Sequence, residues 1–275
     1  MAKIFISSDQ HLDINRLDVD QILAMQANYL QEQKAAAYII AGDSFNYFEK
    51  TLIFAERLQV LVGSDIKIKF LAGNHEMGHG VTFDELESEV SPLYLHNKRF
   101  QIGDTVVLGN NGWYDYSLAR GPQKQQVQQF KQGFYYDRLI EQPLSDPERT
   151  DLSLKQLKKA LDATTAQQRV IVVQHFVPNA LGLQYPTASP RWQMVNGVMG
   201  SKRYAELYAQ YPQIKAVVSG HVHRNQPAQQ IQQIKYQNVS VGYHRGKRME
   251  WVDPEFSTSW QKKLFKSVDN LQGDL

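Results

Sequence analysis

Along this chain, side chains able to hold a metal ion arrive in five short blocks. Asp9-Gln10-His11 comes first and Gly42-Asp43 second; Gly73-Asn74-His75-Glu76, His175 and Gly220-His221-Val222-His223 follow. Each block trails a short apolar run, and five of the eight histidines lie in them. Carboxylate, imidazole and amide oxygen together suit Mn2+, Fe or Zn2+ better than an all-oxygen Ca2+ site. Asp9 and His11 are two apart, so in extended chain both point one way and can share one ion. His221 and His223 have the same spacing, although a turn between them could send them to different ions. Glycines at 42, 73 and 220 let the backbone turn sharply beside a crowded site. Cysteine is absent, which removes thiolate ligands, a Cys nucleophile and disulfides.

The elements that must carry these blocks can be read from hydrophobic period. Residues 2–7 are short and β-like, and 18–33 have apolar side chains at helical spacing. Residues 37–40 read as a buried strand, 49–62 as a helix and 66–71 as a half-covered strand. The order βαβαβ implies parallel strands with crossover helices. Two short strands are expected over 93–110, a helix over 153–163 and a buried strand over 169–173. A long loop is expected over 175–198, then a helix over 201–210, a strand over 214–219 and a hairpin over 229–243. Five of these strands end in a ligand block, and the crevice outside strand carboxyl ends is where parallel sheets bind ligands. Residues 115–150 read as a helical insertion at the surface, either a lid or a solvated excursion. The last thirty residues carry Trp251, Phe256, Trp260, Leu264 and Phe265, enough to pack. With no linker visible, a single domain over 1–275 is the expectation.

Composition excludes several classes. The chain is 42% hydrophobic and 21% charged, near soluble globular averages. No apolar run approaches the roughly 18 residues that span a bilayer. The start lacks a signal-peptide pattern, and with the missing cysteines this points to the cytoplasm. Thirty basic against 28 acidic residues give a net charge of +2, no electrostatic case for nucleic acid or an anionic membrane as partner. Dinucleotide, P-loop and nucleophile-elbow motifs are all missing.

Taken in order, Asp9-x-His11, Gly42-Asp43, Gly73-Asn74-His75-Glu76, His175 and Gly220-His221-x-His223 resemble the calcineurin-like metallophosphoesterases. The resemblance implies an α/β fold: a four-layer αββα sandwich of two mixed sheets, helices outside, metals at the strand ends. It implies two ions, Mn2+, Fe2+/Fe3+ or Zn2+. Asp9, His11 and His223 would hold the first, Asn74, His175 and His221 the second, and Asp43 would bridge them. His75 would face the scissile phosphate as the catalytic residue that stabilises charge or protonates the leaving oxygen. Two such ions can clamp a phosphate and acidify a bridging water for in-line attack. One departure stands out: the family often has Gly-Asp-x-x-Asp, and here Asn46 occupies the last place, an outer hydrogen-bonding group without charge.

Further residues have two readings each. Glu76 is either a helix-start residue or a partner to His75. Trp113 and Tyr114 are either core aromatics or a wall that stacks on a flat leaving group. His79, four residues past His75, could reach substrate. Arg245, Lys247 and Arg248 form either a second phosphate contact or a solvated turn. The leading expectation is a dinuclear-metal phosphodiesterase acting on a small phosphoester or nucleotide. The segments 7–12 and 41–45 also look like those of repair exonucleases in the same superfamily, a reading that the near-neutral charge opposes. A non-catalytic scaffold is the third alternative, and the complete ligand set opposes it.

Overall fold

Period-two alternation lets two sheets share one core. The computed structural model describes residues 2–186 and 189–267. Its first sheet runs β1 (Lys3–Ser7), β2 (Ala35–Ala41) and β3 (Lys67–Leu71), all parallel, with β12 (Phe265–Lys266) antiparallel on the outer side of β1. The second contains β4 (Lys98–Ile102), β5 (Thr105–Gly109), β6 (Arg169–Gln174), β7 (Ile214–Ser219), β8 (Gln229–Ile231) and β9 (Ile234–Asn238), in the order β4-β5-β6-β7-β9-β8. Strands β5, β6, β7 and β9 are parallel; β4 and β8 close the edges antiparallel.

Ile4, Ile6, Ala37, Ile39, Ala41 and Leu71 of the first sheet pack against Val107, Ile171, Val173, Ala216 and Val218 of the second. The alternate residues Phe5, Tyr38, Ile40, Ile68 and Phe70 face outward against α1 (Val19–Glu32) and α2 (Phe48–Val62). Val106, Leu108, Val170, Val172 and Val217 likewise meet α6 (Asp146–Asp162) and α8 (Lys202–Tyr208). Both faces of the central strands are therefore apolar, as strands covered on two sides require. Burying each large side chain contributes about 1.5–3 kcal/mol. This is the expected sandwich of two mixed sheets flanked by helices.

Several boundaries differ from the sequence reading. Helix α6 starts at Asp146, not 153, because Ser145 caps it and exchanges hydrogen bonds with Glu148. The expected insertion holds α5 (Lys124–Phe134), a 3-10 turn (Tyr136–Leu139) and the start of α6. The stretch expected as a long loop contains α7 (Pro190–Gly197), which opens on a proline, where the missing N–H costs nothing. Short α3 (Asn74–Met77) and α4 (Phe83–Leu86) follow β3, and α9 (Phe256–Lys263) precedes β12. Beyond β9 the chain makes the small hairpin β10 (His244–Arg245) and β11 (Arg248–Met249). The C-terminal aromatics pack as expected: Trp260 is fully buried and its Nε1 donates to the Tyr38 hydroxyl at 3.0 Å. Residues 268–275 lie outside the described residues.

Candidate metal centre

Five strands deliver the centre. Asp9 and His11 follow β1, Asp43 follows β2, Asn74 and His75 follow β3, His175 follows β6, and His221 and His223 follow β7. The local geometry is not the extended chain anticipated for the first block. Asp9 (φ 54°), His11 (φ 45°), Asp43 (φ 57°) and His221 (φ 67°) all occupy the left-handed region. Such residues persist only where surrounding contacts hold them. Asp9 and His11 still converge, with His11 Nε2 3.8 Å from Asp9 Oδ1. Gly73 is there for room rather than for a sharp turn: a Cβ on it would lie 2.1 Å from Asp43 Oδ1.

Donor atoms gather in two overlapping groups. In one, His223 Nε2 lies 2.9 Å from Asp9 Oδ1 and 3.1 Å from His11 Nε2. In the other, His175 Nε2 lies 3.2 Å from Asn74 Oδ1, 3.2 Å from His221 Nδ1 and 3.5 Å from Asp43 Oδ2. Asp43 Oδ2 is also 4.0 Å from His11 Nε2, so it stands between the groups. Ligand bonds of about 2.0–2.2 Å place neighbouring donors about 3 Å apart, the spacing seen here. Spacing alone also groups His75 with His11 and Asp43.

The outward atoms test whether the residues fit metal. Asp9 Oδ2 accepts from His221 N (2.9 Å) and Ser240 Oγ (2.8 Å), leaving Oδ1 inward. Asp43 Oδ1 accepts from His75 N (2.9 Å), leaving Oδ2. His175 Nδ1 donates to the Ala41 carbonyl (2.9 Å), His221 Nε2 to the Val198 carbonyl (3.3 Å) and His223 Nδ1 to Glu250 (2.8 Å). Asn74 Nδ2 donates to Asp137 Oδ1 (2.8 Å), which turns the amide oxygen inward. In each case the protein ties the outer atom and turns the other donor atom to the cluster, the outer bonding typical of metal ligands. Burial opposes a charge on His223, but Asp9 and then Glu250 outweigh it and raise that imidazole to about 9, so a metal there would displace its Nε2 proton. Only His11 lacks such a bond; its ring stacks on Tyr243 at 4.3 Å instead. Burial, then neighbouring imidazoles, hold His11 and His221 well below the usual imidazole value, and burial lowers His175. Neutral imidazole is the ligating form. Burial and the Glu76 and Asp9 charges push Asp43 well above the usual carboxylate range. Burial opposes ionisation of Asp9 too, but the His223 charge and hydrogen bond outweigh it and hold that carboxyl low. The donor set fits metal: crowded carboxylates are stabilised by positive charge.

A match to a family model covers residues 2–225, and the model is that of the calcineurin-like phosphoesterases. The chain belongs to that family. It is accordingly a phosphoric ester hydrolase, and its family works with two metals. No curated protein matches the chain. Solved structures share its fold. A phosphopantetheinyl hydrolase from Mycobacterium tuberculosis superposes with a TM-score of 0.66 at 15% identity, covering 100% of this chain and 98% of its own. TT1561 of Thermus thermophilus gives 0.55 at 13% identity, covering 96% and 97%. A dimetal phosphatase from Danio rerio gives 0.51 at 13% identity, covering 86% of each.

The phosphoesterase surrounds His75 closely. Asn46 Oδ1 lies 2.6 Å from His75 Nδ1, the Tyr243 hydroxyl lies 3.1 Å from Nε2, and the Tyr136 ring stacks at 4.2 Å. Burial and then the His223 charge lower His75 to about 3. Glu76 stands in the first turn of α3, and its side chain makes no hydrogen bond to His75. Its fully buried carboxylate accepts from the amides of Asp43, Ser44, Phe45 and Gly73 and from Thr51 Oγ1, binding the β2 and β3 loops together. Trp113 and Tyr114 are not brought to the cleft. Both are fully buried and stack on each other at 4.5 Å, and Trp113 Nε1 donates to Asp146, so the core alternative describes them. His79 packs between Tyr47 and Tyr136 and meets the cleft only through Tyr136. The aromatic side chains lining the cleft include Tyr135, Tyr136 and Tyr243. Of the basic cluster, Arg248 lines the cleft, while Arg245 bonds the Ile14 carbonyl. Asp137, Tyr136, Tyr243 and Glu250 had no motif to mark them. Among the described residues no helix is long and apolar enough to cross a membrane.

Proposed function

We propose that this phosphoesterase is a phosphodiesterase for small diesters, nucleotides among them. Asp9, His11 and His223 would hold one ion, Asn74, His175 and His221 the other, with Asp43 shared. Bound, the ions supply Lewis-acid charge at phosphoryl oxygens and a water acidic enough to act as nucleophile at neutral pH. Mn2+, Fe2+/Fe3+ and Zn2+ suit the imidazole–carboxylate set. His75 takes the catalytic role beside the phosphate: Asn46 fixes its ring at Nδ1, and Nε2 meets the Tyr243 hydroxyl in the cleft. Asn46, Glu76 and Asp137 act through these residues rather than on substrate.

One observation carries the diester reading. The cleft, about 750 Å3, is lined beyond the donor cluster by further side chains. Phe134, Tyr135 and Tyr136 form one wall, while Leu183, Trp192 and Arg224 form another. A second hollow of about 660 Å3 shares His223, Arg224 and Glu250 with it and runs on to Trp251. Room beyond a phosphate-binding centre suits a phosphate with two organic substituents. The small net charge supports a small substrate over a nucleic acid, and the cysteine-free composition supports a cytoplasmic setting.

Manganese-dependent hydrolysis of bis-p-nitrophenyl phosphate beside p-nitrophenyl phosphate tests the reading, with His75→Ala as control. Preference for the diester, lost in the variant while metal content stays, is expected. Preference for the monoester refutes it. Cyclic nucleotides and a phosphopantetheinyl diester extend the panel, the latter because the phosphopantetheinyl hydrolase shares the fold from end to end.

A further inference from the structure

The family match ends at residue 225, but the centre does not. Tyr243 enters from beyond that span. Its backbone N–H donates to Glu250 Oε2 at 2.8 Å, and the same oxygen accepts from His223 Nδ1 at 2.8 Å. Its ring stacks on His11 at 4.3 Å and 28°, meets His223 edge-on at 4.7 Å and carries the Arg248 guanidinium 4.8 Å above it. Two histidines of the cluster thus hold the ring in place. The hydroxyl sits 3.1 Å from His75 Nε2, inside the cleft.

Asn46 sets the direction of that hydrogen bond. Its carbonyl oxygen, 2.6 Å from His75 Nδ1, can only accept, so Nδ1 carries the proton and Nε2 the lone pair. The Tyr243 O–H therefore donates into Nε2. With this tautomer the imidazole offers no N–H to a substrate oxygen in the cleft, whereas the phenol does. Rotation about its C–O bond redirects that hydrogen without moving the ring.

Resting on the phosphoester reading above, we propose that Tyr243 is a further catalytic residue. As the oxygen of the attacking water bonds to phosphorus and the bond to the leaving oxygen breaks, the Tyr243 hydroxyl donates a hydrogen bond to that leaving oxygen. The leaving oxygen then takes its proton from solvent, so Tyr243 stays protonated. His75 Nε2 holds the hydroxyl in place beforehand. A preorganised donor aimed at developing charge is worth about 10²–10³-fold in rate.

Tyr243→Phe tests this, because it keeps the ring against His11 and removes only the hydroxyl. Expected is a fall in kcat of about 10²- to 10³-fold with KM and bound metal unchanged. The loss should be larger for an alkyl diester than for a p-nitrophenyl one, whose leaving group needs little help. Added to His75→Ala, the substitution should cost little more. A readout independent of turnover is the 15N spectrum of the metal-free protein: the His75 Nε2 resonance shifts in Tyr243→Phe while those of His175 and His221 stay. An active wild type whose Tyr243→Phe variant is unimpaired on both diesters overturns this role alone, as does an unmoved Nε2 resonance. A wild type inactive on every phosphate ester overturns the phosphoester reading and this role with it.

Discussion

Replacing Glu76 by Gln tests whether one buried carboxylate organises the loops of the centre. Oε2 accepts from Asp43 N at 2.7 Å and Gly73 N at 2.9 Å, while Oε1 accepts from Ser44 N at 2.7 Å, Phe45 N at 3.3 Å and Thr51 Oγ1 at 2.8 Å. A glutamine keeps one oxygen. Whichever way its amide turns, the NH2 faces two backbone N–H groups that have nowhere else to donate. Each buried donor left unpaired costs about 1–3 kcal/mol, so the pair costs roughly 2–6 kcal/mol. Repulsion between Glu76 and Asp43 is relieved at the same time, which lowers the net figure to about 2–4 kcal/mol. At about 2–4 °C per kcal/mol, Tm falls by roughly 5–15 °C. The assay is urea denaturation of metal-free protein, with the midpoint shifted and the slope kept, alongside metal content after reloading. Asp43 sits at φ 57° and depends on these bonds, so metal binding should weaken as well. A Gln variant within about 1 kcal/mol of wild type, binding metal normally, would refute the reasoning.

Three other perturbations have defined outcomes. Asp137→Ala frees the Asn74 amide to flip and should lower metal affinity about 10- to 100-fold by calorimetry, while Asp137→Asn, which can still accept from Asn74 Nδ2, recovers most of it. Asn46→Asp puts a carboxylate 2.6 Å from His75 Nδ1 and should raise the His75 pKa by about 1–3 units in an NMR titration; an unmoved titration would show that this contact is not made in solution. Burial lowers Lys263 to about 8, so between that value and its unfolded one, near 10.5, the unfolded chain binds more protons and stability should rise with pH. Lys263→Met should remove that rise, of order 1–3 kcal/mol, in urea midpoints measured from pH 8 to 10.5.

The blocks of candidate ligands were legible in the sequence because each is local: an apolar run, a glycine or polar turn, then a side chain of recognisable type. The sheets were legible for the same reason, since alternation in residues such as Ile4, Phe5 and Ile6 fixes which face each side chain takes. Backbone shape was less so. Asp9 and His11 meet through left-handed turns, which spacing alone could not distinguish from an extended pair. The start of α6 was missed because its capping serine lies in a polar stretch that reads as loop. The rule that governs the outer hydrogen bonds explains the remaining omissions. A metal ligand must be one of a few side chains, but the atom that orients it need only accept a hydrogen bond. Backbone carbonyls of Ala41 and Val198 do this for His175 and His221, and Glu250 and Asp137 do it for His223 and Asn74. Any residue has such a carbonyl, and a carboxylate can arrive from any distance along the chain, 27 residues away for Glu250 and 63 for Asp137. Selection for chemistry therefore leaves a motif at the proposed ligands and almost none at their supports, although the supports determine which atom would face an ion. The same asymmetry hid Tyr243, whose place beside His75 depends on the fold of the segment after β9 and on no neighbour in sequence.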